Sequence, residues 1–237
     1  MLSIEQIQNV FSAAGLSFEN EQYAKLSFYA DILCEYNEKV NLTAITDPLG
    51  IAEKHFLDSI YPFATEDIVP QGAKLIDVGT GAGFPSCPLK IVRPDIDLTL
   101  LDSLNKRLEF LKLLSDKAFL EANCIHGRAE ECGSKSDMRE QFDIATARAV
   151  ARLNTLCEYC LPFVKVGGAF AALKGSDGKT ELDDAKKAVA ELGGEIELFK
   201  QYTLPCGDGR SLIVIRKIKS TPAKYPRKQA QIKNKPL

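Results

Sequence analysis

The chain has 237 residues, of which 45% are hydrophobic and 26% are charged, a composition that is ordinary for a folded globular protein. This composition excludes a disordered chain, a collagen-like repeat and a small disulfide-stapled protein. The formal net charge is only −2, and as a single number it does not indicate a nucleic-acid partner.

The charge is nevertheless distributed unevenly along the chain. Residues 210–237 contain nine basic residues and no acidic ones, which leaves 21 basic and 32 acidic residues in the rest of the chain. A basic end of this kind is either a solvated surface or a binding segment for a polyanion.

Helical patterns occupy the first part of the chain. Residues 3–6 fit a capping box, and apolar residues recur at a spacing of three to four between positions 23 and 36. Asp47 and Pro48 open a further helix that we expect to run through Phe63. We interpret residues 1–66 as an N-terminal helical extension packed on the core.

The pattern changes near residue 74, where short apolar runs alternate with helical segments. This alternation predicts an α/β fold with a mostly parallel sheet and helices on both faces. A helix is expected over 183–192, and the last two runs, 196–202 and 212–218, lack a helix between them and predict an antiparallel pair at one edge. The preceding runs lie at 75–78, 98–101, 123–125, 142–145 and 169–173. We therefore assign residues 67–219 to the core and 220–237 to a basic C-terminal tail.

The cysteine pattern favours a reducing, cytoplasmic location. The chain has seven cysteines, an odd number without regular spacing, and no stretch approaches 18 uncharged apolar residues. Cys157 and Cys160 form a CxxC pair, but His55 and His126 do not lie at the spacing of zinc ligands, so we predict no metal site.

A glycine-rich turn and an acidic residue form the strongest local pattern. Asp77 to Gly83 follow the first predicted strand with a GxGxG spacing, which lets the backbone approach a ligand closely. Asp102 ends the next predicted strand and is placed to accept hydrogen bonds from ribose hydroxyls, although it could instead cap the helix beginning near Leu104. Together the two features predict a cofactor that contains ribose.

The residues after the turn help to choose between cofactors. Phe84 and Pro85 stand where a dinucleotide site needs phosphate donors, and GxGxxG is missing. S-adenosylmethionine has no phosphate and is favoured, while an NAD(P)-dependent oxidoreductase remains an alternative.

Two further segments carry candidate ligand-binding residues. Residues 126–131 contain Glu130 and combine a backbone amide with a carboxylate, which could bind an adenine edge or could simply begin an exposed charged helix. Arg148 ends the fourth apolar run, and an arginine at that edge of an open sheet favours ligand binding. Pro205 and Cys206 lie between the two edge strands, and we interpret them as a structural loop.

Five segments in this order resemble the ribosomal RNA small subunit methyltransferase G family (glucose-inhibited division protein B). They are residues 36–43, 54–59, 77–85, 126–130 and 146–151. The resemblance implies a Rossmann-like class I S-adenosylmethionine-dependent methyltransferase fold. It also implies methyl transfer to N7 of a guanosine in 16S rRNA, so that the partner is 16S rRNA or the small ribosomal subunit.

The resemblance also implies which residues contact S-adenosylmethionine. In this sequence they are Gly79, Phe84, Ala129, Glu130 and Arg148, in addition to Asp102 from the pattern above. One departure is Ser86, where the family usually has glycine, and we expect this serine to act as a helix N-cap.

Candidate RNA contacts fall into two groups. The first group is expected on one rim of the site and consists of Asn41, Lys54, His55, Lys165 and Lys174, with His55 equally explained as a packing histidine. The second group is Arg227 and Lys228 in the basic tail, whose deletion we expect to weaken RNA binding without changing cofactor affinity. A monomer is favoured, and a non-catalytic RNA-binding assembly factor remains a second alternative.

Overall fold

A seven-stranded sheet forms the centre of the structure, a computed structural model that describes residues 2–118 and 120–237. The strand order is β3-β2-β1-β4-β5-β7-β6, with β1 to β5 parallel and β7 antiparallel to both of its neighbours. The strands are β1 (Lys74–Val78), β2 (Asp97–Asp102), β3 (Ala122–His126), β4 (Phe142–Arg148), β5 (Val164–Gly175), β6 (Gly194–Thr203) and β7 (Gly209–Lys217). The predicted mostly parallel sheet with an antiparallel edge pair is confirmed.

The helices follow the predicted alternation. They are α1 (Ile4–Ala13), α2 (Asn20–Asn37), α3 (Pro48–Gly50), α4 (Asp58–Thr65), α5 (Ser86–Val92), α6 (Asn105–Ala118), α7 (Ala129–Cys132), α8 (Leu153–Cys160), α9 (Gly178–Glu191) and α10 (Gln229–Asn234). The capping box of α1 is present, because Ser3 Oγ accepts from the Gln6 amide at 3.2 Å and Gln6 Oε1 accepts from the Ser3 amide at 2.9 Å. Helix α9 begins at Gly178, five residues before the predicted start at Asp183.

The third predicted helix is not uniform. Its path consists of α3, a π-helical segment Ile51–Leu57 and α4. The wider π turn was not predicted, because apolar spacing over so few residues does not distinguish it from an α-helix. Lys54 and His55 lie in the π-helical segment and Asp58 follows it directly, and all three contact Arg148 at the end of β4.

Alternate residues of the strands face two separate cores. Along β1, Leu75 belongs to the core beneath α1, α2, α5 and α6, whereas Ile76 and Val78 belong to the core beneath α8 and α9. Buried Tyr225 and Ile232 join the second core, so the C-terminal residues pack on the sheet layer. The N-terminal helices share the first core with the sheet, and the boundary near residue 66 stays a prediction.

The described residues contain neither a candidate membrane span nor a candidate metal cluster. Among residues 2–118 and 120–237, no helix is both long and apolar enough to cross a bilayer. Nor does that part of the chain bring together three or more side chains that could ligate a metal.

Candidate cofactor site

A cavity of about 370 Å³ opens at the carboxyl ends of β1 and β2. Its walls include Gly79, Asp102, Ala129 and Glu130, four of the six residues expected at the cofactor. The volume lies within the range of small-molecule sites in proteins. Chain segments that are far apart in sequence therefore converge on one ligand-sized space.

Asp102 connects the glycine-rich turn to the next loop. Its carboxylate is only 2% exposed, with Oδ2 accepting from the Gly81 amide at 2.9 Å and Oδ1 accepting from the Leu104 amide at 2.9 Å. Asp102 thus supports the start of the following helix and also lines the cavity, and its contact with ribose hydroxyls stays a prediction. Oδ2 also lies 3.4 Å from Arg107 Nη1, whereas Oδ1 keeps a further lone pair for a ligand hydroxyl.

The turn itself needs glycine for backbone reasons. Gly79, Gly81 and Gly83 have φ angles of +74°, +60° and +94°, which side chains disfavour. A Cβ at Gly79 would also lie 2.7 Å from Cγ2 of Val150, another wall residue of the cavity. The glycine spacing is therefore explained by backbone conformation and by close packing at the cavity.

Asp77 holds the glycine turn from beneath. It is fully buried, and its Oδ2 accepts from Thr80 Oγ1 at 2.9 Å and from Ser86 Oγ at 2.5 Å, while Oδ1 has no partner among the described residues. Burial raises the pKa of Asp77 to about 7. The expected N-cap role of Ser86 is wrong, because Pro85 occupies the N-cap and the Ser86 hydroxyl is used by Asp77.

The segment after β3 supplies the opposite wall. Ala129 and Glu130 begin α7, and Glu130 is 8% exposed. The Gly127 amide donates to the Asp102 carbonyl at 3.1 Å, which brings this segment close to the end of β2. A backbone segment and a carboxylate thus face the cavity together, as an adenine edge would require.

Phe84 and Arg148 lie together beside the cavity and are absent from its lining. The Phe84 ring stacks on His55 with centroids 4.3 Å apart and on Tyr29 with centroids 5.4 Å apart. The Arg148 guanidinium carbon lies 4.9 Å from the Phe84 centroid. Contact of these two residues with the cofactor stays a prediction.

Asp58 organises this neighbouring cluster, a role that the sequence analysis missed. Its carboxylate is 4% exposed, with Oδ2 accepting from Arg148 Nη1 at 3.0 Å and Oδ1 lying 3.2 Å from Arg210 Nε. It therefore joins the end of β4 to the start of β7. The available signal was its position three residues after His55, since both side chains contact Arg148.

His55 is held as a neutral imidazole. Nδ1 accepts from Arg148 Nη2 at 3.3 Å, and Nε2 lies 2.8 Å from Thr43 Oγ1, so the proton is assigned to Nε2 from its partners. Burial, reinforced by the Arg148 charge, lowers the pKa of His55 to about 3. Both ring nitrogens therefore have protein partners and the side chain is buried, which fits a packing histidine, and contact of His55 with RNA stays a prediction.

The remaining RNA candidates of the rim have different surroundings. Asn41 is exposed after α2, Lys54 Nζ lies 3.1 Å from Asp208, and Lys174 is buried against Glu181 at 2.8 Å. Lys174 also donates to the Ala151 carbonyl at 2.8 Å and so supports a cavity wall.

The expected shared rim is wrong for Lys165. This lysine pairs with Asp143 at the amino ends of β4 and β5, whereas the cavity lies at the carboxyl ends. The error arose because β5 begins at Val164, five residues before the apolar run that predicted it.

The basic tail is folded against α8. Arg227 pairs with the fully buried Glu158, whereas Lys228 is exposed. Helix α10 then places Gln229 and Lys233 in the cavity wall, which nothing in the charge pattern indicated.

The sheet order, the glycine turn and the acid at the end of β2 define a Rossmann-like fold of the S-adenosylmethionine-dependent methyltransferase class. Comparison with protein families then identifies the family. Residues 22–208 match the family model GidB, rRNA small subunit methyltransferase G, and the chain belongs to this family.

Full-length relatives agree with this assignment. Ribosomal RNA small subunit methyltransferase G of Alkaliphilus metalliredigens is 52% identical over 225 residues, covering 94% of each chain. The protein of that name from Clostridium perfringens is 44% identical over 239 residues, covering 100% of each chain.

Solved structures share the fold at low sequence identity. A 16S rRNA (adenine(1408)-N(1))-methyltransferase from Catenulisporales acidiphilia is 12% identical with a TM-score of 0.52, covering 68% of this chain and 91% of that one. The fibrillarin pre-rRNA processing protein of Methanococcus jannaschii is 13% identical with a TM-score of 0.51, covering 64% of this chain and 70% of that one.

Proposed function

We propose that the chain transfers a methyl group from S-adenosylmethionine to N7 of a guanosine in 16S rRNA of the small ribosomal subunit. The observation that carries the proposal is the buried Asp102 carboxylate, bound to the Gly81 amide and facing the same cavity as Glu130. Family membership supplies the RNA substrate and the position of methylation.

The cavity suits the two polar parts of an adenosyl group. Asp102 would accept from the ribose hydroxyls, and the Ala129–Glu130 segment would bind the adenine edge. Phe84 and Pro85 follow the turn where a pyrophosphate would need donors, and the Phe84 ring stacks on His55. This arrangement favours S-adenosylmethionine over NAD(P).

The chemistry of N7 explains what the chain must provide. The cofactor supplies an electrophilic methyl group, and guanine N7 carries a free lone pair that needs no deprotonation. A general base is therefore unnecessary, and the chain acts by holding the reacting atoms in line, which can supply about 7–11 kcal/mol. Asn41, Lys54 and His55 are the proposed RNA contacts, and Arg148, which binds Asp58, is a proposed cofactor contact.

We also propose that the chain acts as a monomer in the cytoplasm. The seven cysteines are all free thiols, of which four are buried, Cys34 and Cys124 are half-buried and Cys206 is exposed, as a reducing compartment permits. The exposed large apolar side chains lie on separate segments, namely at Ile4, Phe28, Leu49, Leu104, Val150, Val166 and Ile218. Size-exclusion chromatography with light scattering tests the monomer directly.

The decisive experiment measures methyl incorporation into naked 16S rRNA, 30S particles and mature ribosomes, with mass spectrometry of the nucleosides formed. N7-methylguanosine in any of these substrates supports the proposal. Absence of methylation in all three, with RNA binding retained, would instead support a non-catalytic assembly factor.

Calorimetric titration separates the two cofactor classes. Binding of S-adenosylhomocysteine without binding of NADH is expected. Asp102→Asn should weaken that binding roughly 10- to 100-fold, the range for one charge-assisted hydrogen bond. Asp97→Asn, at the opposite end of the same strand, is the matched control. Binding of NADH alone would overturn the proposal.

A further inference from the structure

The outer wall of the cavity is formed by the end of the chain. Residues 225–237, called here the C-terminal segment, contribute Gln229 and Lys233 to the same cavity as Asp102 and Glu130. These two positions belong to a tail that the sequence assigned to RNA alone.

The C-terminal segment is firmly attached at this place. The fully buried Glu158 carboxylate accepts from the Arg227 amide at 2.8 Å, from Arg227 Nε at 2.9 Å and from Arg227 Nη2 at 2.6 Å. The Ile232 side chain is also fully buried. Asn154 Nδ2 donates to the carbonyl of Leu237 at 3.3 Å, which ties down the last residue.

Helix α8 both holds the C-terminal segment and lines the cavity. Thr155 and Tyr159 of α8 line the cavity, while Glu158 of the same helix holds Arg227. The position of the C-terminal segment and the shape of the cavity are therefore coupled.

Gln229 lies on the Glu130 side of the cavity. A second groove, on the outer side, is lined by Arg128, Glu130 and Gln229 as well, so these three residues separate the two spaces. Among the described residues the Gln229 side chain takes part in no hydrogen bond, which leaves a donor and an acceptor available at the site proposed for adenine.

We propose that the C-terminal segment is the outer wall of the adenosyl subsite, with Gln229 hydrogen-bonded to the adenine edge and the Lys233 stem covering the ring. This inference rests on the proposed function, since it assigns residues to the site of S-adenosylmethionine. It changes the earlier expectation for the tail, because removal of residues 220–237 should now weaken cofactor binding as well as RNA binding.

The test is calorimetric titration of the full-length protein with S-adenosylhomocysteine. Gln229→Ala should weaken binding about three- to tenfold, as expected for one neutral hydrogen bond. Lys233→Ala should weaken it about twofold or more through lost cover of the ring. Gln231→Ala and Lys235→Ala are the matched controls, because both residues line a separate groove.

The outcomes separate the inference from the proposed function. Wild-type protein that binds no S-adenosylhomocysteine would overturn both. Normal wild-type binding with Gln229→Ala and Lys233→Ala equal to their controls would overturn only the inference.

A second measurement needs no variant. Saturating S-adenosylhomocysteine should slow tryptic cleavage after Lys228 and Lys233 in wild-type protein, because a bound ligand holds α10 in place. Unchanged cleavage at both bonds in the presence of bound ligand would contradict the inference.

Discussion

Gly79 illustrates how one backbone position can serve both conformation and ligand access. Its φ of +74° and its distance to Val150 each disfavour a side chain, but only the second constraint concerns the cavity. Gly72 has a similar φ of +67° and open space around its missing Cβ. Comparing alanine substitutions at Gly79 and Gly72 therefore separates backbone strain from obstruction of the cavity.

We predict that Gly79→Ala and Gly72→Ala each lower the free energy of unfolding by about 1 kcal/mol, the cost of a left-handed alanine. Gly79→Ala should in addition displace Val150 and lower affinity for S-adenosylhomocysteine at least tenfold. Urea unfolding and calorimetry check the two effects. Equal ligand affinity in both variants would show that the close approach to Val150 is unimportant.

The lowered pKa of His55 predicts that the stability of the protein depends on pH. Its folded pKa of about 3 lies below the ordinary value of 6.5, so the unfolded chain takes up a proton between these pH values and the folded chain does not. The contribution of His55 to the free energy of unfolding is complete above pH 6.5. It is lost as the pH falls toward 3, by up to about 1.4 kcal/mol per pH unit.

His55→Gln should remove this slope, so that wild type and variant differ in the pH dependence of unfolding between pH 4.5 and 6.5. Urea unfolding at several pH values measures the difference. His126, the chain's other histidine, is exposed, and His126→Gln is the control. Identical slopes for wild type and His55→Gln would contradict a buried neutral imidazole.

At the scale of elements, the attachment of the C-terminal segment depends on a buried charge. Glu158 is fully buried, whereas the Arg227 side chain is 21% exposed and can reach water once released. Glu158→Ala should therefore free residues 225–237 at a cost of about 1.5–3 kcal/mol, the range for hydrogen bonds to charged groups.

Hydrogen exchange checks this prediction. The Ile232 amide, bound to the Lys228 carbonyl at 3.2 Å, should exchange roughly 10- to 100-fold faster in Glu158→Ala, with amides of β1 and β4 little changed. Lys228→Ala, next to Arg227 and exposed, is the control. A similar increase in the control, or none in Glu158→Ala, would rule out Glu158 as the anchor.

The sheet could be predicted because each strand combines an apolar run with a turn, and because two adjacent strands without a helix must pair antiparallel. Strand ends were less predictable. The residues from Val164 to Gly168 carry a lysine and two glycines, so their inclusion in β5 depends on pairing with β4 and not on local pattern.

Two residues that line the cavity could be proposed from their places in the sequence. Gly79 and Asp102 stand at strand ends, where backbone geometry and charge indicate a ligand. Asp58, Glu158 and Gln229 were missed because their roles depend on partners about 70 to 150 residues away in the chain. The tail was misjudged for the same reason, since the basic residues of a sequence do not reveal which of them are paired.

At the scale of the whole molecule, the uneven charge of the sequence is largely neutralised by folding. Five of the nine basic residues in 210–237 form ion pairs with carboxylates of the acidic body. These pairs are Arg210 with Asp58 and Asp208, Arg216 with Glu197, Lys217 with Glu140, Lys224 with Glu191, and Arg227 with Glu158. Within the described residues, the four basic residues of 210–237 without such a pair are Lys219, Lys228, Lys233 and Lys235.

This pairing limits how strongly residues 210–237 can contribute to salt-dependent RNA binding. For single-stranded RNA, the logarithm of the association constant falls by about 0.7 per unit of log salt for each phosphate neutralised. Four free lysines therefore contribute about −3 to this slope, whereas nine free charges would contribute about −6. Replacing Lys219, Lys228, Lys233 and Lys235 by alanine should therefore reduce the slope for a 16S rRNA transcript, measured from 50 to 200 mM salt, by about 3. Arg216→Ala, which removes a paired charge, should leave it nearly unchanged. A slope that is unaffected by the four substitutions would place the RNA-binding charges on the rim beside the cavity and not in residues 210–237.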